Sequence, residues 1–248
     1  MAAPVFNANV TNNVIMGTGI TNGGFTLDSG GGAEVALRAR ERYELATNLP
    51  SNVTGSNGNG TYNQNAGEPP GFSGVGQNRA RWNFDWSINS GSASVSAYTY
   101  RLGMDFDAGL GTNFLTFDPI NLPCADHSFG NNTTGQSAGT EVAGAAALSA
   151  CAGVFAASDT AQYGALRTTN NLVQNSWNLD FFDNATYVFD PTVNGNYSFF
   201  LEAINANGTV VSRSEIVVIV GTGAVPEPGS LALIGLALAG LALTRRRA

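Results

Sequence analysis

Residues 81–89 read Arg-Trp-Asn-Phe-Asp-Trp-Ser-Ile-Asn, and this stretch decides the fold class. Trp82, Phe84, Trp86 and Ile88 alternate with Asn83, Asp85, Ser87 and Asn89. Successive side chains of a strand point to opposite faces, so the pattern predicts a strand with one heavily aromatic face. That face has two competing uses. It packs into a core, the commoner fate of such a stripe, or it forms a platform for sugar rings.

The same period recurs on either side. Tyr98, Tyr100, Leu102, Met104 and Phe106 mark one face of a second strand. In residues 34–45, Val35, Leu37, Ala39, Tyr43 and Leu45 alternate with Glu34, Arg38, Arg40, Arg42 and Glu44; Glu41 interrupts the apolar face as a bulge or strand end would. Farther on, Gly195–Ala206 and Thr209–Val220 flank Asn207-Gly208, the strongest short hairpin signal. Two stretches do not read as β. Residues 48–80, rich in Asn, Gly, Ser and Pro, predict a long surface loop. Residues 137–175 hold an alanine-rich run and then Asp159-x-x-Gln162, a variant capping box predicting a helix over Thr160–Val173.

The expected architecture is mainly β: an antiparallel β-sandwich, jelly-roll-like, with one helical insert at about 137–175 and a C-terminal hydrophobic helix. A chain of 248 residues suits one such domain. The divisions read as a body over 1–220, a linker over 221–225 and a tail over 226–248.

Charged residues make up 12% of the chain, about half the usual share, and glycine is abundant at 31. All 11 basic residues are arginine. Residues 226–248 hold three of them and one acid, leaving 8 basic and 17 acidic side chains in the body, a net charge of −9. So acidic a body repels phosphate backbones, which argues against a nucleic-acid partner. Absence of lysine excludes a P-loop and Schiff-base chemistry. The start, Met-Ala-Ala-Pro-Val-Phe-Asn-Ala-Asn-Val, shows neither the basic nor the apolar region of a secretory leader, so no signal peptide is expected in the sequence as given.

Chemistry-bearing residues are few. His127 is the single histidine, within Cys124-Ala-Asp126-His127. Proximity along a loop does not make a triad, so a locally hydrogen-bonded histidine is the expected reading. One His and two distant Cys do not supply a tetrahedral zinc site. Cys124 and Cys151 form a disulfide in an oxidising compartment or remain buried thiols. Asp105 and Asp107 precede a Gly turn, with Asn113, Asp118 and Asp126 not far beyond. Calcium takes six to eight oxygen ligands, so Asp105 and Asp107 are candidates; carboxylates at strand ends also cap turns, and the spacing is not that of an EF-hand. No cofactor other than calcium is suggested. Glu34, Glu44, Glu202 and Glu215 lie on predicted strands where a hydrolase's pair of carboxylates could form, yet spacing singles out no pair; outward, solvated charges are the ordinary reading.

The tail reads Val225, Pro226-Glu227-Pro228-Gly-Ser, thirteen apolar or small residues from Leu231 to Leu243, Thr244, then Arg245-Arg246-Arg247. A helix over those thirteen would be about 20 Å long, short of the ~30 Å hydrocarbon core. It is apolar all round, unlike a surface helix. The terminal arginines place its end on the cytoplasmic side.

Pro-Glu-Pro, a short apolar helix and a terminal arginine cluster, in that order, resemble the PEP-CTERM sorting signal, carried by cargo of exosortase in Gram-negative bacteria. The resemblance implies recognition of Pro226-Glu227-Pro228 by an exosortase-type enzyme and cleavage nearby, through an inner-membrane-anchored intermediate, to release the body at the cell surface or outside it. A plain anchor without processing is the alternative. Residues 82–89 (WNFDWSIN), 111–121 (GTNFLTFDPIN), Asp126-His127 and 174–178 (QNSWN) also resemble a group of PEP-CTERM cargo proteins, a likeness that implies no activity or site.

These readings converge on an exported, non-enzymatic surface or matrix protein associated with exopolysaccharide and biofilm. A carbohydrate- or calcium-binding adhesion module is the alternative, and a polysaccharide-active hydrolase the second.

Overall fold

The structure is a computed structural model that describes residues 3–45, 47, 51–71, 78–121, 126–142 and 157–223. Cys124, Cys151 and the whole tail lie outside the described residues, and so do the disulfide and sorting-helix expectations. The strands are β1 (Val5–Ala8), β2 (Phe25–Gly30), β3 (Ala33–Glu41), β4 (Thr61–Gln64), β5 (Trp82–Asn89), β6 (Thr99–Asp105), β7 (Phe114–Phe117), β8 (Ser128–Gly130), β9 (Leu172–Trp177), β10 (Gly195–Ile204) and β11 (Val210–Val220). A helix, α1 (Ala157–Thr169), precedes β9.

Two sheets form a sandwich. The six-stranded sheet runs β1-β2-β3-β5-β9-β8, and the five-stranded sheet runs β4-β11-β10-β6-β7. The first is antiparallel throughout; the second is mixed, because β4 pairs parallel with β11. β5, the strand with the aromatic face, is central: it lies between β3 and β9, with Leu37 opposite Trp86 and Trp86 opposite Asn175.

The alternating side chains of β5 fill the core. Trp82, Phe84, Trp86 and Ile88 are all buried, packed with Tyr197, Phe199, Leu102 and Met104 of the other sheet. Phe84 and Phe199 rings sit 4.7 Å apart, and Trp82 meets Phe199 edge-on at 6.2 Å. Aromatic pairs in these arrangements add about 0.5–1.5 kcal/mol beyond area burial. The stripe is core, so it offers no platform to a sugar.

The sheets touch at one edge through polar contacts. Ser212 and Ser214 on β11 donate their hydroxyls to the carbonyls of Asp28 and Thr26 on β2, each at 2.7 Å. Gly30 is required there, since a Cβ would run into the Val211 carbonyl oxygen.

Residues 9–24 wrap over the outer face of β2 and β3. Val10, Val14, Met16 and Ile20 join Phe25, Leu27 and Ala36 in a second, smaller core. Gln174 on β9 fastens this wrap, accepting from the Ile15 amide (2.7 Å) and donating to the Asn13 carbonyl (2.9 Å). Beneath it the outward side chains of β3 and β5 are buried, not solvated: Asp85 accepts from Arg38 and Arg40, each at 2.8 Å.

Several boundaries differ from the sequence reading. α1 spans 157–169, ending earlier than Val173, because Asn170 closes it on the Leu166 carbonyl and residues 172–177 are needed as an interior strand. Residues 172–175 therefore belong to the sheet, not to an insert. Residues 48–80 contain β4, a four-residue edge strand too short to show a period. The late hairpin forms, but its arms stop at Ile204 and resume at Val210, leaving a loop from Asn205 to Thr209 in place of a two-residue turn: the Gly208 amide donates to the Asn205 carbonyl, and Gly208 takes φ +76°.

Candidate functional site

A polar cavity of about 220 Å3 opens on the outer face of the six-stranded sheet, walled on one side by Met16, Gly17, Thr18 and Ile20 of the N-terminal wrap. Its lining crosses four neighbouring strands in order. Arg40 and Arg42 come from β3 and the residues just after it, Asn83 from β5, Asn175 and Ser176 from β9, and Ser128 from β8, with Asp126 and Glu141 beside β8. Neighbouring strands lie about 4.8 Å apart, so β3 and β8, three spacings apart, are separated by about 14 Å. The cavity is bipolar: guanidinium groups at the β3 end, carboxylates at the β8 end, and amides and hydroxyls between.

The β3 end is built on buried charge. Asp85 is fully buried. Burial pushes its carboxyl up, but the Arg40 and Arg38 guanidiniums outweigh that and hold it below the usual carboxylate range. Arg38 donates onward to the carbonyls of Thr21 (3.0 Å) and Gly23 (2.6 Å), tying the wrap to β3. Arg40 reaches Ser176 Oγ at 3.3 Å, which also accepts from Asn83 at 3.0 Å. Arg42 differs. Among the described residues it pairs with no carboxylate, and its guanidinium lies 4.7 Å over the Tyr43 ring. Burial lowers its pKa; Tyr43 opposes this, while Arg40 and Arg79 push it lower.

At the β8 end, Asp126 Oδ1 accepts from Asn175 (3.1 Å) and Glu141 Oε1 accepts from Ser128 (2.7 Å). Among the described residues each carboxylate commits one oxygen to a side chain.

His127 lies on the other side of this sheet. Its ring is fully buried against Trp86 and Trp177, at 4.9 and 5.5 Å. Nε2 donates to the Pro119 carbonyl (2.7 Å), which leaves Nδ1 as acceptor from Asn175 (3.0 Å). Burial lowers its pKa to about 4, against the smaller opposing effect of the Pro119 contact. The imidazole is neutral and both nitrogens are occupied, the local role read from its loop.

Asp105 and Asp107 are placed at the end of β6. Asp105 Oδ1 accepts the amides of Asp107 (3.0 Å) and Asn113 (2.7 Å), and Asp107 Oδ1 accepts that of Gly109 (2.7 Å). Asp118 caps a separate turn through the amides of Ile120 and Asn121, both at 2.9 Å. These carboxylates close their own loops. Among the described residues no three His, Cys, Asp or Glu side chains gather as a metal site. Of the four glutamates on predicted strands, Glu202 departs from the solvated reading. It is buried beneath Arg101 and Arg213, on the outer face of the other sheet.

The chain carries the PEP-CTERM protein-sorting motif at residues 224–247. A PEP-CTERM motif marks an exported protein processed by exosortase, so this chain leaves the cytoplasm with its sorting signal at the C-terminal side. No curated protein and no solved structure matches the chain. Among the described residues no helix is long and apolar enough to cross a membrane.

Sequence reasoning did not find the cavity. Its residues come from six separate stretches, and Arg40, Arg42 and Asn83 read as the ordinary polar side of alternating strands. One signal was available: three arginines at alternating positions, 38, 40 and 42, in a body with only eight.

Proposed function

We propose that this chain is a non-enzymatic surface or extracellular-matrix protein of a Gram-negative bacterium, associated with exopolysaccharide. The single observation that carries the reading is the PEP-CTERM motif at residues 224–247. Before processing, the apolar run Leu231–Leu243 anchors the protein in the inner membrane with Arg245–Arg247 on the cytoplasmic side. Cleavage near Pro226-Glu227-Pro228 then frees the body. Two features support a non-enzymatic role: the lone histidine is neutral and spent on structural contacts, and the aromatic strand is in the core. Polysaccharide contact then runs through an outer face.

Cells lacking the exosortase-type enzyme test the reading. The protein should stay in their membrane fraction, while in wild-type cells it should be recovered with the extracted polysaccharide matrix. Equal release from both strains, or release into medium with none in the matrix, would sink it.

A further inference from the structure

We propose that the bipolar cavity between β3 and β8 binds one acidic sugar unit, its carboxylate at Arg42 and its hydroxyls at Asp126 and Glu141. The proposal rests on the matrix reading above for its biological setting and on the cavity alone for its chemistry.

Size is the first argument. Sites for drug-sized ligands run to about 300–1,000 Å3, so about 220 Å3 admits a single ring rather than an oligosaccharide. Charge is the second. Arg40 is already committed to Asp85, whereas Arg42 is half-buried, beside Arg40, and has no carboxylate of its own among the described residues. A guanidinium so placed gains most from an incoming carboxylate, which it can grip with two parallel hydrogen bonds. The third argument is the opposite end. Asp126 and Glu141 are acceptors and would repel a second anionic group, but each can take hydroxyl donors. Between the two ends lie Ser176 and Asn83, bonded to each other and, through Ser176, to Arg40, a fixed polar floor that suits a ring bearing hydroxyls better than a methylene chain. A uronic acid has this layout: one carboxylate on one side of the ring, hydroxyls on the other. An ω-amino acid shares the two ends but not the middle.

Titration calorimetry on the full-length chain in detergent tests the assignment, with D-glucuronate, D-glucose and L-lysine as probes. Glucuronate should bind at least about tenfold more tightly than glucose, the scale of one charge-assisted hydrogen bond. Arg42→Ala should abolish that preference. Arg42→Gln, which keeps a polar side chain of intermediate length and removes the charge, makes the same test if the alanine variant fails to fold. Glu141→Gln, at an exposed position, should weaken both sugars alike and leave the preference intact. No glucuronate binding by the wild-type protein, equal affinity for glucose, or binding of lysine in place of glucuronate would overturn the assignment. So would a preference that survives loss of Arg42. None of these results touches the matrix reading, which fails separately if the protein is not recovered with the polysaccharide.

Discussion

The two outer faces of the sandwich carry the same kind of ion cluster, two arginines on one carboxylate, in opposite surroundings. On the six-stranded sheet, Arg38 and Arg40 meet Asp85 beneath the N-terminal wrap, with side chains at most 2% exposed. On the five-stranded sheet, Arg101 and Arg213 cover Glu202, itself 4% exposed, with their own side chains in the open, 51% and 30% exposed. Arg213 also reaches Glu215 at 2.9 Å and stacks 4.5 Å over Phe200. Both clusters join neighbouring strands at facing positions: Arg38 lies opposite Asp85, and Glu202 lies opposite both Arg101 and Arg213. Strand register alone therefore does not set their worth; the cover does. A covered charge must be matched, because removing its partner leaves an ion in a dry interior. An open one can turn to water, and salt screens it.

Removing the covered carboxylate should have the largest effect. Asp85→Asn leaves two buried guanidiniums unmatched and should cost about 3–5 kcal/mol, read from urea unfolding. A loss under 1 kcal/mol would mean that water reaches the cluster and the wrap is not closed.

Acid should act next, and in a defined window. His127, under the same sheet, has a folded pKa of about 4 against an ordinary value near 6.5. Between those values the unfolded chain binds the proton and the folded chain does not, so stability falls as pH drops from about 6.5 to 4, by about 3 kcal/mol in all. His127→Gln, which keeps a donor for the Pro119 carbonyl, should flatten that slope. Asp85 contributes outside this window: its carboxyl is depressed, so its stabilisation is lost only below the ordinary carboxylate range. An unchanged slope in His127→Gln would place the proton uptake elsewhere.

The open cluster should respond least. Arg101→Ala should change stability by no more than about 1 kcal/mol, and 1 M salt should shrink even that difference. A loss as large as that of Asp85→Asn would erase the contrast between the faces.

The comparison also shows where the sequence was readable. The period of 82–89 and 98–106 revealed two interior strands, because one side of each is uniformly apolar and a two-residue repeat has no other cheap explanation. The Asn207-Gly208 turn was legible from its own chemistry, and so was the tail. What lay on the other side of each strand was not. Arg38, Arg40 and Asp85 alternate with apolar residues just as Arg101 and Glu202 do, and nothing local says that residues 9–24 will fold over the first set. That wrap has scattered apolar residues, Val10, Val14, Met16 and Ile20, at no fixed period; its fastening to Gln174 joins positions about 160 apart. The cavity is hidden for the same reason: it exists only once β3, β5, β9 and β8 lie side by side.

The export route is most directly tested by the intact mass of the protein secreted into the medium. The account predicts a chain ending near residue 226, without Arg245, Arg246 and Arg247. A secreted chain whose mass still includes the apolar run and the three arginines would contradict it.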